Sequence, residues 1–180
     1  MEMFPLMPKR FKLSAWRLIF AVPALLLMMT VPGSGQVPGI LHLEVQFVNA
    51  GTSLEFGNLK SLDQNGEPVS DTSVVQVRLS VNTTLGRPYI LTQTLQGDTM
   101  NQSGAVLPYE AIRFRVEQEA GSGLIRVPDG TPLRPGSQEI YFSDSAGSPA
   151  SILVTYEMTV PAAQRAGNYR NTVNYRVDAN

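Results

Sequence analysis

The chain has no cysteine, one histidine and one tryptophan among its 180 residues. Without cysteine there is no disulfide, no thiolate zinc site, no cysteine nucleophile and no thiol redox role, so packing and hydrogen bonding alone must offset chain entropy. His42 would have to serve any Ser-His-Asp triad, and no nucleophile-elbow motif accompanies it. It lies on the polar parity of its segment beside Glu44, as a solvated surface residue does. Charge is also sparse: Asp, Glu, Lys and Arg make up 16% of the chain. Nothing resembles a basic patch for phosphate backbones, which argues against nucleic acid as a partner. Helical patterning is missing as well. Beyond residue 35 no stretch holds a 3.6-residue period for three turns, and Ala162-Ala163-Gln164-Arg165 would make one turn at most.

Long hydrophobic runs are limited to the N-terminus. Lys9, Arg10, Lys12 and Arg17 precede an apolar run from Leu18 to Val31, and Gly33, Ser34 and Gly35 follow. Those 14 residues fall short of the about 20 that span a bilayer. A basic region, a short apolar region and small residues, in that order, predict a secretory signal peptide over residues 1–35, cleaved near Gly35–Gln36. Its removal leaves 10 Lys+Arg against 14 Asp+Glu, a net charge of 10 − 14 = −4. Residues 36–180 suit one domain with a real core, secreted, periplasmic or at a bacterial cell surface.

What fills that domain is alternation. Leu41, Leu43, Val45 and Phe47 alternate with His42, Glu44 and Gln46. Val75, Val77, Leu79 and Val81 alternate with Gln76, Arg78 and Ser80; Tyr89, Leu91 and Leu95 with Ile90, Thr92 and Thr94. Ile112, Phe114 and Val116 alternate with Arg113, Arg115 and Glu117. Short strands are expected over Leu124–Val127 and around Ile140 and Phe142. Ile152, Val154, Tyr156, Met158 and Val160 form another apolar parity, and Tyr169, Val173, Tyr175 and Val177 the last. A period of two places one face of each segment on a core. Asp63-Gln64-Asn65-Gly66-Glu67-Pro68 and Pro128-Asp129-Gly130-Thr131-Pro132 carry turn chemistry. Strands at this spacing, with no crossover helices, predict an all-β, immunoglobulin-like antiparallel sandwich of about seven to nine strands.

Catalytic and metal-binding patterns are weak. Asp63, Asn65 and Glu67 have the spacing that opens a calcium loop, but the closing bidentate acid is missing and turn chemistry accounts for them. Glu110, Glu117 and Glu119 show no pairing across a cleft. Asn82-Thr83-Thr84 and Asn101-Gln102-Ser103 match the glycosylation pattern, which in a bacterial exported chain is coincidence. No catalytic residue, cofactor or metal is expected, and the chain reads as a non-enzyme.

Three stretches resemble the spore coat protein U family of secreted, pilin-like subunits. Leu54-Glu55-Phe56-Gly57 is similar to that family's N-terminal Phe-Gly, and Arg87-Pro88-Tyr89 to its Pro-Tyr. Thr159-Val160-Pro161, Gln164 and Ala166-Gly167-Asn168-Tyr169-Arg170-Asn171-Thr172-Val173 resemble its C-terminal tail. The resemblance implies a sandwich assembled by β-strand addition, with other subunits and a periplasmic chaperone as partners. The faces it singles out are Leu41, Leu43, Val45 and Phe47 on the first strand and Tyr169, Val173, Tyr175 and Val177 on the last. Val37 and Gly39 extend the first parity, as a donor segment would. The competing reading is a self-complete carbohydrate- or cell-wall-binding module using loops Gly97–Gly104 and Pro128–Gly136.

Overall fold

The computed structural model describes residues 39–48, 72–161, 164–165 and 168–180. The expected signal segment 1–35, Val37, the Phe56-Gly57 motif, the Asp63–Pro68 turn and the Ala162-Ala163 and Ala166-Gly167 positions lie outside them. Nine strands are described: β1 (Leu41–Phe47), β2 (Thr72–Thr83), β3 (Tyr89–Leu95), β4 (Ile112–Ala120), β5 (Gly123–Ile125), β6 (Thr131–Pro132), β7 (Gly136–Ser143), β8 (Ala150–Thr159) and β9 (Val173–Ala179). One 3-10 turn, Tyr109–Ala111, precedes β4, and there is no α-helix among the described residues. The strands form two antiparallel sheets, ordered β1-β2-β8-β4-β6 and β5-β7-β3-β9. The all-β sandwich read from the alternation is the fold.

Alternation sets the layers. Val77, Leu79 and Val81 of β2, Phe114 and Val116 of β4 and Ile152, Val154 and Tyr156 of β8 turn inward from the five-stranded sheet and are buried. Tyr89, Leu91 and Leu95 of β3 and Ile140 and Tyr141 of β7 meet them from the other. Burying each such aliphatic side chain contributes about 1.5–3 kcal/mol. Tyr89 with Tyr141, ring centroids 6.2 Å apart, and Phe114 with Tyr156, 6.0 Å apart, add tilted aromatic contacts.

Two boundaries differ from the sequence reading. The last strand begins at Val173, so Tyr169 precedes it; Arg170 instead forms an isolated bridge with Met100. Asn171 anchors this approach by donating from Nδ2 to the Gly97 carbonyl at 2.9 Å. The strand expected over Leu124–Val127 is Gly123–Ile125. In β7, alternation breaks. Leu91 faces Tyr141 and Thr92 faces Glu139, which leaves Ile140 as an extra residue. Such a bulge lets consecutive Ile140 and Tyr141 both turn inward.

Candidate functional site

The four sheet edges are built very differently. β5 has three residues and β6 two, too short to template much pairing. β1 and β9 each have seven residues, and each pairs with its one neighbour in unbroken register. Among the described residues neither has a partner strand on its other side. These two long edges run alongside each other on the same side of the sandwich, one from each sheet. Neither carries proline, a bulge or an inward charge, the devices that usually protect an edge.

Hydrogen bonding decides which peptide groups face outward. Thr84 donates its N–H to the Ile40 carbonyl at 2.9 Å and Val48 donates to Gln76 at 2.9 Å. In an antiparallel pair the bonded residues alternate, so Ile40, His42, Glu44, Gln46 and Val48 direct their peptide groups to β2. Leu41, Leu43, Val45 and Phe47 therefore direct theirs to the open edge. The same logic holds for β9. Gln96 donates to the Thr172 carbonyl at 3.3 Å and Asn180 to Pro88 at 2.8 Å. Asn174, Arg176 and Asp178 thus bond to β3, and Val173, Tyr175, Val177 and Ala179 face outward.

The residues with outward peptide groups also carry the apolar side chains. Leu41, Leu43 and Phe47 pack half-buried against the core, as do Val173, Tyr175 and Val177. The exceptions are Val45, 41% exposed and a gap in the middle of the first face, and Ala179, exposed at the end of β9. Tyr169, expected on the last-strand face, also packs against the core, but from the segment before β9. Its hydroxyl donates to the Arg165 carbonyl at 2.8 Å and accepts from Gln164 Nε2. The structure therefore sets seven of the eight expected residues on the two facing edges and Tyr169 beside them.

Behind the seam runs a polar row that the alternation did not disclose. Gln93 of β3 is 1% exposed and faces Gln138 on one side and Tyr175 on the other. The Tyr156 hydroxyl, from the opposite sheet, donates to Gln93 Oε1 at 2.8 Å. Its one proton being engaged, the Tyr175 hydroxyl 2.5 Å away donates to the Tyr156 oxygen. Gln93 Nε2 completes the row by donating to Gln138 Oε1 at 3.3 Å. Burial pushes the Tyr156 phenol, and Tyr175 with it, well above the ordinary range, so both remain neutral hydroxyls. The row ties β9 to both sheets. A glutamine amid apolar strand residues was the one visible signal for it.

In the loops expected to bind ligand, several polar groups are engaged internally. Asn101 Oδ1 accepts from Ser103 N, Ser103 Oγ and Ala105 N at 3.0, 2.8 and 2.8 Å. Thr131 Oγ1 donates to the Pro128 carbonyl at 2.6 Å, and Arg113 Nη1 to the Gly130 carbonyl at 2.9 Å. His42 is exposed on β1, and Glu110, Glu117 and Glu119 are exposed. Glu119 is engaged by Arg78 through two bonds at 2.7 and 2.8 Å, which holds its carboxyl below the usual range. No cluster of three or more His, Asp or Glu able to hold a metal ion occurs among the described residues.

No protein-family model matches the chain, and no curated protein matches it. Among solved structures it is similar to a family 123 glycoside hydrolase from Clostridium perfringens, whose structure was reported for glycolipid glycan hydrolysis. The identity is 19% and the TM-score 0.35, over 60% of this chain and 18% of the hydrolase. So small a share of that enzyme, at that score, assigns no activity to this chain.

Proposed function

We propose that the chain is an exported, pilin-like structural or adhesive subunit that works by β-strand addition at the edges β1 and β9, without chemistry of its own. The observation that supports this most is the contrast between edges: two are cut to three residues or fewer, and two are seven residues long and unblunted. On those two, the residues with outward peptide groups also carry the apolar side chains, six of them half-buried against the core, which is what an added strand needs from its acceptor. Backbone pairing supplies affinity there, and alternate side chains supply specificity. Its partners in this reading are other subunits of the same type, with a periplasmic chaperone covering the edges before assembly.

The test is a synthetic peptide of residues 36–48, which carries the alternating parity from Val37 to Phe47. Added to the folded chain held as a monomer, it should bind and raise the melting temperature in a concentration-dependent way. The same peptide with Leu43→Pro should not. No rise in melting temperature at saturating peptide overturns the proposal.

A further inference from the structure

We infer that the occupant of both open edges is a second copy of this chain, related by a two-fold axis along the strands. β1 of each copy then pairs antiparallel with β9 of the other, Leu41 opposite Ala179 through to Phe47 opposite Val173. The inference rests on reading β1 and β9 as acceptor edges and names what they accept.

The peptide groups match first. Leu41, Leu43, Val45 and Phe47 present outward groups on β1, and Ala179, Val177, Tyr175 and Val173 present them on β9. In this register those residues stand directly opposite one another, so each pair exchanges both of its N–H···O bonds. All seven residues of each strand are used, with none overhanging. The inward faces become continuous, and Val45 gains Tyr175 of the second copy beside it.

The outer faces then select the register. Glu44 stands opposite Arg176, His42 opposite Asp178 and Gln46 opposite Asn174. Arg176 and Asp178 already pair within β9 at 2.6 Å, so Glu44 completes a row in which charges alternate in sign, and the His42 imidazole stands beside Asp178 as a hydrogen-bonding neighbour. Sliding by two residues one way sets Glu44 against Asp178; sliding the other way sets Glu44 against Asn174 and leaves it without its opposite charge. A slide by one turns every inward side chain outward. Only one register satisfies backbone, core face and charge together.

Symmetry closes the argument. Five residues, Thr84–Pro88, link β2 to β3, too few to travel back along the ~40 Å of β2, so β3 runs opposite to β2. β1 is antiparallel to β2 and β9 to β3, which makes β1 and β9 antiparallel to each other. They are also level. Leu41 is opposite Thr83 and Ala179 is opposite Tyr89, the two residues that flank the link. A dyad parallel to the strands therefore brings β9 of the second copy onto β1 with Leu41 beside Ala179, and forms the reciprocal pair in the same step. Pairing β1 with β1 or β9 with β9 would leave the other edge of each copy open. The β1–β9 pairing leaves neither open, and each sheet of one copy runs on into a sheet of the other.

The test is charge reversal on the exported chain, read as solution mass by light scattering or sedimentation. The unaltered chain should be a dimer. Glu44→Arg alone, or Arg176→Glu alone, should weaken self-association by roughly a hundredfold, because the dyad counts each repulsive cross-strand contact twice. The double variant should dimerise again, and so should a mixture of the two single variants, one carrying two positive groups at these positions and the other two negative. Both residues lie on exposed strand faces, so the single variants should keep their melting behaviour as monomers. A dimer indifferent to these reversals overturns the register. A chain that stays monomeric at high micromolar concentration yet takes the 36–48 peptide overturns the second-copy assignment and leaves strand addition standing. One that is monomeric and refuses the peptide overturns both.

Discussion

At the residue scale, the most consequential position is Tyr156. Its ring completes the Phe114 contact, and its hydroxyl is the acceptor for Tyr175 and the donor to Gln93 in the buried interior. Tyr156→Phe keeps the ring and removes only the oxygen, leaving the Gln93 carbonyl without its donor. An unsatisfied buried acceptor costs about 1–3 kcal/mol. Tyr175→Phe should cost less, because Tyr175 is half-buried on an edge strand and Tyr156 keeps its bond to Gln93. Gln93→Leu combined with Tyr156→Phe should cost less than the two single changes together, since neither partner is then left wanting. Urea unfolding midpoints of the single and double variants check this, and a Tyr156→Phe cost within about 0.5 kcal/mol of zero would sink the account.

At the element scale, the β7–β8 connection is held by one carboxylate. Asp144 accepts from Ser148 N through Oδ1 at 2.8 Å and from Ser148 Oγ through Oδ2 at 2.7 Å. Gly147 has φ +63°, and a Cβ there would run into the Arg87 backbone, which fixes glycine at the point where the loop touches the β2–β3 link. Tyr89 completes the junction by donating its hydroxyl to the Ser148 carbonyl at 3.0 Å. The Ser148 N–H, then its hydroxyl, hold the Asp144 carboxyl below the ordinary range. A depressed carboxylate stabilises the fold above its unfolded pKa, about 3.9, and that contribution fades as pH falls through the lower folded value. The melting temperature should therefore drop on acidification below about pH 4, and the gap between the native chain and Asp144→Asn should narrow over the same window. A gap that stays constant with pH would contradict the assignment.

The same scale shows why some elements were legible and others were not. β2, β4 and β8 bury every second residue against an apolar neighbour, so their alternation alone located them. The bulge at Ile140 depends on the register of β3 against β7, a relation between segments about fifty residues apart that no local pattern encodes. Tyr169 has the right parity for β9, but Arg170 is taken by Met100 and Asn171 by the Gly97 loop, so pairing with β3 starts later. Gln93 lies on the apolar parity of β3; its partners come from β7, β8 and β9, and only assembly brings them within reach. The seam residues were legible as faces. That they occupy edges was not, because strand order is a long-range property.

At the scale of the whole molecule, the asymmetry of the edges has a signature that does not depend on knowing the partner. Because β1 pairs with β2 and β9 with β3, every second amide of each edge strand is bonded within the chain and the intervening amides face outward. In the monomeric Glu44→Arg variant, amide hydrogen exchange should therefore alternate along both strands. His42, Gln46 and Val48 should exchange slowly on β1, and Asn174, Arg176, Asp178 and Asn180 on β9, while Leu43, Val45, Phe47, Tyr175 and Val177 exchange quickly. Peptide or dimer formation should slow the fast set and change the slow set little, since only the former gains new acceptors. Residue-resolved exchange by NMR reads both strands at once. Uniform protection of the isolated monomer along β1 and β9 would mean that the edges are already covered, and the sandwich would have no place for an added strand.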